Sequence, residues 1–167
     1  PALNLQEQHI YGSSRLGILN SNLRLTPTPS IALVSTRTAG SKSYELSNHL
    51  GNVVVTISSK QIPHTSNTTS IDYYLSEIVN TTDYYSFGSP MPGRQYSVTG
   101  YRYGFNGKEK DDETQQSDYD FGARIYNANL GRWLSIDPEY SKYSSLSPYV
   151  YVSNCPIYFI DPSGADL

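Results

Sequence analysis

The pattern of hydrophobic and polar positions predicts strands in two segments of the chain most clearly. Residues Tyr44–Ile57 combine an Asn/Gly turn with a β-branched run, which predicts a β-hairpin. Residues Ile71–Val79 also fit helical spacing, but the Asn-Thr-Thr that follows and the strand-like neighbours favour a strand. His9–Leu25 is a third patterned segment. We therefore expect an all-β fold built from stacked β-hairpins.

Polar stretches separate these segments and predict loops. Thr26–Ser43 contains two prolines and many Ser and Thr residues, and Ser58–Ser70 is polar enough to predict an excursion away from the strands. Lys108–Asp118 is the main charge run and predicts a solvated loop. Towards the end of the chain, apolar character predicts that Trp133, Leu134 and the run Ile157–Ile160, with Ile157 and Phe159, are buried.

Short echoes of one pattern recur along the chain. Tyr-x-Phe-Gly occurs at Tyr85–Gly88 and again at Tyr119–Gly122. Such a unit predicts a hairpin in which Tyr packs along the strand and Gly supplies the positive φ of the turn. A hairpin alone cannot bury a face, so we expect these units to stack on neighbours. The spacing is irregular, and an ordinary antiparallel sheet remains an equal alternative.

Composition and charge narrow the classes of function that this chain can have. Among 167 residues there are 16 Tyr, 4 Phe and 1 Trp, a balance typical of half-buried strands whose hydroxyl groups stay wet. The net charge of −3, without a basic stripe, argues against nucleic acid, and no apolar run approaches the ~20 residues of a membrane span. The chain begins with Pro1 and carries no signal peptide, so we expect a piece of something longer.

Two Asp-Pro pairs carry the strongest candidate chemistry. Asp137 and Asp161 lie 24 residues apart (161 − 137), a separation that a hairpin-like return could close. Two carboxylates in one partly buried site can share a proton and act as base and acid in aspartyl-protease chemistry, and Arg132 could decide which one ionises. The alternative is structural, because Asp before Pro usually caps a turn.

Other reactive residues offer less. Cys155 precedes a proline in a turn and has no nearby histidine, and His9, His49 and His64 lack the spacing of a ligand pair. We therefore expect neither a metal nor another cofactor.

The last third of the chain resembles a known family. Tyr101-Arg-Tyr-Gly-Phe-Asn-Gly-Lys-Glu109, then Tyr119-Asp-Phe-Gly-Ala-Arg-Ile-Tyr126, Leu130-Gly-Arg-Trp-Leu134 and the two Asp-Pro elements resemble the C-terminal core domain of Rhs/YD-repeat proteins of the Bacteroidetes type. These are large shells that carry polymorphic toxins. The resemblance implies that residues 1–100 are the last YD-repeat-like hairpins of a shell wall, and that residues 101–167 form an inward-curling, plug-like core domain.

In this family the core domain often cleaves its own chain shortly after the second Asp-Pro-x-Gly. The resemblance therefore implies catalysis by Asp137 and Asp161 with Arg132, and cleavage beyond Gly164, at Leu167. Tyr140 stands where many members have Gly, which places the role of Asp137 in doubt. The expected partners are upstream shell strands and a downstream toxin, in a secreted or cell-surface bacterial protein that neither binds nucleic acid nor inserts into a membrane. The alternative is a non-enzymatic structural or surface-interaction module that pairs with another chain.

Overall fold

The computed structural model describes residues 3–25, 38–98, 100–111 and 117–166, and this part of the chain is all-β. Ten strands and three single-turn 3-10 segments make up its regular structure. The strands are β1 (Leu3–Tyr11), β2 (Arg15–Leu25), β3 (Lys42–Ser47), β4 (Val53–His64), β5 (Tyr73–Tyr84), β6 (Pro90–Ser97), β7 (Glu109–Lys110), β8 (Asp118–Asp120), β9 (Ile125–Asn127) and β10 (Arg132–Trp133). The 3-10 segments are Phe105–Gly107, Tyr140–Tyr143 and Val152–Asn154. The prediction of an all-β fold is confirmed.

The strands form two sheets whose neighbours follow chain order. Six strands pair in the order β1-β2-β3-β4-β5-β6, and four in the order β10-β9-β8-β7. Pairing is antiparallel wherever the register is defined, as in Gly17 opposite Tyr44 and Tyr119 opposite Tyr126. Such meanders need only short connections, which suits a chain with frequent Gly and Asn turns.

The predicted hairpin over Tyr44–Ile57 and the predicted strand over Ile71–Val79 are both present. The side-chain Oδ1 of Asn48 accepts the backbone N–H groups of Leu50 and Asn52 at 3.0 and 3.1 Å, which closes the turn between β3 and β4. An Asx side chain that binds its own backbone in this way favours a turn over continued strand.

The three predicted loops each need correction where a strand enters them. The predicted polar excursion over Ser58–Ser70 is wrong for its first half, because β4 continues to His64, whereas residues 65–70 are a loop as predicted. Polar side chains that stay exposed do not prevent backbone pairing, so polarity alone did not end the strand. The Lys108–Asp118 segment contributes Glu109–Lys110 to β7 and Asp118 to β8, and residues 112–116 lie outside the described residues. For the predicted loop at 26–43, residues 26–37 also lie outside them, and the last two residues belong to β3.

The chain divides into two compact units. Unit 1 comprises Pro1–Leu46 and Val55–Val79, and unit 2 comprises Ser47–Val54 and Asn80–Leu167. The boundary between residues 100 and 101, predicted to divide the shell-wall hairpins from the core domain, stays a prediction. Among the described side chains of unit 1, Ile18 is the buried apolar one, accompanied by the polar Ser43, Thr56 and Ser58.

Unit 2 contains a core of aromatic side chains, here called the aromatic cluster. Neighbouring ring centroids lie 4.3 Å apart between Tyr126 and Tyr151 and 5.1 Å apart between Phe121 and Trp133. Its six rings are those of Phe105, Tyr119, Phe121, Tyr126, Trp133 and Tyr151. Burial raises the pKa of Tyr119, Tyr126 and Tyr151 above the ordinary phenol value of 10.0, because the phenolate would lose its hydration. The predicted burial of Trp133 is confirmed.

A glycine allows one turn to approach the aromatic cluster closely. Gly88 has φ +87°, and a Cβ placed there would lie 2.4 Å from the ring of Phe105. Any side chain would therefore meet both backbone strain and a ring that other aromatics hold in place. This requirement explains the Gly of the first Tyr-x-Phe-Gly motif.

The other predictions of burial, for Leu134 and for the whole run Ile157–Ile160, are wrong. Leu134 is 48% exposed, Ile157 52% and Phe159 58%. Leu134 follows the buried Trp133 at the end of β10, so strand alternation turns it to the opposite side. The run Ile157–Ile160 follows Val152, Ser153 and Asn154, which all have positive φ, and it lies in turn and irregular backbone that no strand covers among the described residues.

Three consecutive left-handed residues mark the connection into that run. Val152 is the unusual member, because a β-branched side chain at φ +38° is a strained conformation. Its side chain is buried against the aromatic cluster, which holds it there.

Among the described residues, the helical segments are all single turns, too short to cross a bilayer.

Candidate active site: two buried aspartates on one arginine

The site begins at the turn between β8 and β9. Phe121 N–H donates to Arg124 O at 3.1 Å, which closes the turn and places Arg124 just before β9. The guanidinium of Arg124 is buried and its Cζ lies 4.2 Å from the ring centroid of Trp133. A cation on the face of an indole ring is stabilised by the ring quadrupole, so Trp133 fixes the plane of Arg124.

The first aspartate reaches Arg124 from the segment after β10. Asp137 is 2% exposed, and its backbone N–H donates to Pro148 O at 3.0 Å. Its Oδ1 accepts the backbone N–H of Glu139 at 2.6 Å, the Asx turn expected of Asp before Pro. Its Oδ2 lies 2.9 Å from Arg124 Nη1, an ion pair outside hydrogen-bond geometry.

The second aspartate has more donors around it. Asp161 is 1% exposed, and its Oδ1 accepts the backbone N–H groups of Ser163 and Gly164 at 3.0 and 2.7 Å. Its Oδ2 accepts the N–H of Asp166 at 3.1 Å and lies 3.4 Å from Arg124 Nη2. The two carboxyl oxygens of Asp161 are thus bonded by its own loop as well as by Arg124.

The loop from Asp161 to Asp166 is fastened to the β8–β9 turn. Arg124 Nε donates to Gly164 O at 2.5 Å, and Ala123 N–H donates to Ser163 O at 3.1 Å. Gly164 has φ +77°, and a Cβ there would lie 2.9 Å from Phe121 Cβ, so a larger residue would push the loop off the turn. The Gly of Asp-Pro-Ser-Gly is therefore required by packing.

The structure brings Asp137 and Asp161 to one guanidinium, and that guanidinium belongs to Arg124, not to Arg132. Arg132 lies on β10 opposite Asn127, with its side chain exposed. Alternation could have shown this, because Arg132 precedes the buried Trp133 and must point the other way. Arg124 also carried a signal: it is a lone charge among apolar residues that directly precede a strand.

The charges of this cluster set its chemistry. Two carboxylates and one guanidinium meet in a buried place, so each carboxylate needs hydrogen bonds or an opposite charge to offset its burial. Asp161 accepts three backbone N–H groups and Asp137 accepts one, so the fixed hydrogen-bond donors are concentrated on Asp161. The negative charge of Asp161 also adds to burial in raising the pKa of Tyr151, which places the cluster beside the aromatic rings.

Other predicted residues lie around or outside this cluster. Gly164 belongs to it, whereas Leu167 lies outside the described residues. Cys155 is partly buried, follows the left-handed segment and forms no disulfide.

Known proteins resemble this chain in sequence over part of its length and in fold. No protein-family profile matches the chain. Toxin subunit YenC1 of Yersinia entomophaga is 33% identical over 91 residues, which cover 53% of this chain and 9% of that protein. Salivary gland surface protein 1 of Aedes aegypti is 33% identical over 101 residues, 58% of this chain and 3% of that protein. The chain thus spans less than a tenth of the length of either relative.

Solved structures with the same fold are Tc toxin assemblies. The TcdB2-TccC3-TEV structure matches 98% of this chain with a TM-score of 0.59 at 20% identity, and TcdB2-TccC3-Cdc42 matches 90% with 0.58 at 21%. A Tc holotoxin pore of Photorhabdus luminescens with a TccC3 mutation matches 74% with 0.55 at 24%. The matched part is 5–6% of each of those chains. The class is therefore clear at the level of fold: the chain is built like a segment of these toxin components. The narrower Bacteroidetes-type assignment stays a prediction.

Proposed function

We propose that this chain is the C-terminal end of an Rhs-type toxin shell and that it severs its own chain through Arg124, Asp137 and Asp161. The observation that carries the proposal is the meeting of two buried carboxylates on one buried guanidinium. The fold of Tc toxin components and the sequence similarity to a toxin subunit support the setting. In this proposal residues 1–100 are the last wall hairpins and residues 101–167 are the core domain.

The reaction is hydrolysis of one peptide bond beyond Gly164. Asp161, as the ionised member, takes a proton from a water molecule while the water oxygen bonds to the scissile carbonyl carbon. Asp137 gives its proton to the departing nitrogen as the carbon–nitrogen bond breaks. One water molecule is consumed, and transfer of the proton from Asp161 to Asp137 then restores the starting state. Arg124 holds both carboxyl groups in place and offsets their charge throughout.

The arrangement of the loop supports cleavage in cis. Asp161 and Gly164 lie on the same tight loop, so a peptide bond shortly beyond Gly164 stays near the carboxyl groups without a separate binding step. Such proximity suits an enzyme that acts once. The released segment would be the downstream toxin, and the retained segment would close a secreted or cell-surface bacterial shell.

Mass spectrometry of a precursor that continues past Leu167 tests the proposal. We expect the wild-type precursor to be found cut, and Asp161→Asn to remain intact, because an amide neither accepts the water proton nor returns it. Asp137→Asn is expected to block cleavage as well. Asp166→Asn is the matched control, since its side chain is exposed on the same loop and lies outside the ion pairs of Arg124. Normal processing of Asp161→Asn would reject the catalytic assignment. Acid hydrolysis is recognised separately, because it cuts between Asp161 and Pro162.

A second candidate is a structural module that pairs with another chain. The exposed run Ile157–Ile160, which includes Tyr158 at 76% exposure, favours it, because contiguous exposed apolar side chains are typical of interaction surfaces. The three N–H groups that bind Asp161 are also what a purely structural turn would provide. In that case the wild-type precursor stays intact, and Asp161→Asn lowers the stability of the fold without altering any processing.

A further inference from the structure

Lys108 is a charged residue next to the site, and it has no role in the proposed reaction of Arg124, Asp137 and Asp161. It follows the Phe105–Gly107 segment, and its backbone is held on both sides. Its N–H donates to Phe105 O at 2.9 Å, and its O accepts the N–H of Gly104 at 2.9 Å. The side chain therefore starts from a fixed point next to the aromatic cluster.

The ammonium group of Lys108 ends on the Asp161 loop. Its Nζ donates to Pro162 O at 2.7 Å and lies 5.0 Å from the ring centroid of Phe121. The Phe121 ring is held in turn by Trp133 and Tyr151. Both ends of the Lys108 side chain thus have a defined place, which lowers the entropy cost of the contact with Pro162.

The carbonyl that Lys108 binds belongs to the peptide group whose N–H binds Asp161. Pro162 C=O and Ser163 N–H are two ends of one planar peptide unit, and Ser163 N–H donates to Asp161 Oδ1 at 3.0 Å. A cation on the carbonyl oxygen withdraws electron density through the amide and makes the N–H a stronger donor. The positive charge of Lys108 therefore reaches the carboxylate through one peptide group.

We propose that Lys108 is a positioning residue that holds the turn after Asp161 by its charge, and so keeps the Asp161 carboxylate directed at Arg124. Its effect on cleavage rests on the proposed function above, whereas its effect on the turn does not. Lys108 itself touches no reacting atom. Arg124 holds the loop from the protein interior and Lys108 holds it from the solvent side.

Amide hydrogen exchange in the 167-residue chain decides between charge and packing. Lys108→Met keeps an apolar stem against Phe121 and removes the charge, whereas Lys108→Arg keeps the charge. We expect the N–H groups of Ser163 and Gly164 to exchange about 10-fold faster in Lys108→Met, since a charge-assisted hydrogen bond is lost. Exchange in Lys108→Arg should stay within about 2-fold of wild type. Lys60→Met is the matched control, because its ammonium pairs with Glu77 on β5 instead, and we expect no change at Ser163.

Three results would overturn the assignment of Lys108. Unchanged exchange at Ser163 and Gly164 in Lys108→Met would show that the charge has no effect on the turn. Failure of Lys108→Arg to restore protection would show the same. Faster exchange spread evenly over β8 and β9 in Lys108→Met would assign Lys108 a general structural role.

Cleavage of the longer precursor separates this inference from the proposed function. If both hold, Lys108→Met slows cleavage by about 10-fold, the rate equivalent of one charged hydrogen bond, and Lys108→Arg restores it. An uncut wild-type precursor, together with the local exchange effect, would reject the proposed function and support the role of Lys108 in the turn. A cut wild-type precursor without the exchange effect would support the proposed function and reject the role of Lys108 in the turn.

Discussion

The two units of this chain are stabilised in different ways. Unit 2 buries six aromatic rings in one cluster and sets a buried charged triad against it. Unit 1 consists of long strands whose apolar side chains largely stay exposed, and it buries Ile18 among its described apolar side chains. Exposed apolar residues of unit 1 include Ile62, Ile71, Tyr73, Tyr74, Leu75 and Ile78. Backbone pairing without a covered face gives little stability, so unit 2 should be the more stable of the two.

Removing the Trp133 ring should have the largest effect on this contrast. Trp133→Ala deletes a fully buried ring and the surface on which Arg124 stacks, and we expect a loss of about 4 kcal/mol in the free energy of unfolding of unit 2. Tyr158→Ala is the matched control, because Tyr158 is exposed, and it should change the free energy by less than about 0.5 kcal/mol. Urea unfolding followed by aromatic circular dichroism measures both. Equal losses would mean that the aromatic cluster is not the core of unit 2.

Neutralising Arg124 should have the next largest effect. Arg124→Gln leaves two carboxylates buried without their counter-charge, which costs about 3 kcal/mol. Arg132→Gln changes an exposed side chain on β10 and should stay within about 0.5 kcal/mol of wild type. Urea unfolding of the two variants, measured side by side, tests which arginine belongs to the site. A larger loss of stability for Arg132→Gln than for Arg124→Gln would support Arg132 as the arginine of the site, as the sequence predicted.

Alkaline pH should unfold unit 2 selectively. The folded-state pKa of Tyr119, Tyr126 and Tyr151 is raised, chiefly because burial disfavours the phenolate. Their contribution to stability is therefore fully present below the unfolded-state value near 10.0 and is lost as pH rises beyond it. Each buried phenol should cost about 1.4 kcal/mol per pH unit in that window.

Ultraviolet absorbance of tyrosinate, recorded with amide exchange during a pH titration, follows this change. The exposed Tyr73 and Tyr74 of unit 1 should ionise without unfolding it. A single smooth ionisation of all tyrosines, with no loss of structure in unit 2, would contradict the prediction.

The smallest effect concerns an exposed ion pair of unit 1. Lys60 Nζ lies 2.9 Å from Glu77 Oε1, and the hydrogen bond from Lys60 is the main cause that lowers the pKa of Glu77 below 4.5. The pair therefore contributes above the unfolded-state pKa, and that contribution is lost as pH falls through the lower folded-state value. Lys60→Met should bring the pKa of Glu77 back towards 4.5 in an NMR titration, with hardly any change in the thermal midpoint. A marked drop in the midpoint would show that surface charge does stabilise unit 1.

Local sequence rules predicted the elements whose cause is local. The β3–β4 hairpin follows from the Asn48 turn, and the burial of Trp133 follows from its size and its place before a turn-rich segment. Hydrophobicity wrongly predicted that Ile157 and Phe159 are buried. An apolar residue in the sequence does not show whether its side chain lies in a core or on an exposed surface.

The sequence predicted the two aspartates of the candidate site but not its arginine, because only the aspartates lie in local motifs. The Asp-Pro pairs predict Asp137 and Asp161 correctly, but the arginine predicted beside them, Arg132, is not their partner. Arg124 meets them through the β8–β9 turn and the Asp161 loop, two contacts between distant parts of the chain. Such long-range contacts cannot be predicted from neighbouring residues, so the sequence held only two weaker signals. Strand alternation around Trp133 argued against Arg132, and the lone charge just before β9 pointed to Arg124.

One connection within unit 2 has a consequence for the order in which the chain folds. Asn52 Oδ1 accepts the N–H of Asn106 at 2.8 Å, Asn106 Nδ2 donates to Leu50 O at 2.8 Å, and Tyr151 OH donates to Asn106 Oδ1 at 2.6 Å. The turn between β3 and β4 closes locally on Asn48, but its attachment to the rest of unit 2 requires residues that a ribosome adds much later. Contacts of such long range close slowly, since loop-closure entropy must be overcome first. During synthesis the early hairpins emerge before their fastening exists, and unit 2 is completed only when Tyr151 has left the exit tunnel.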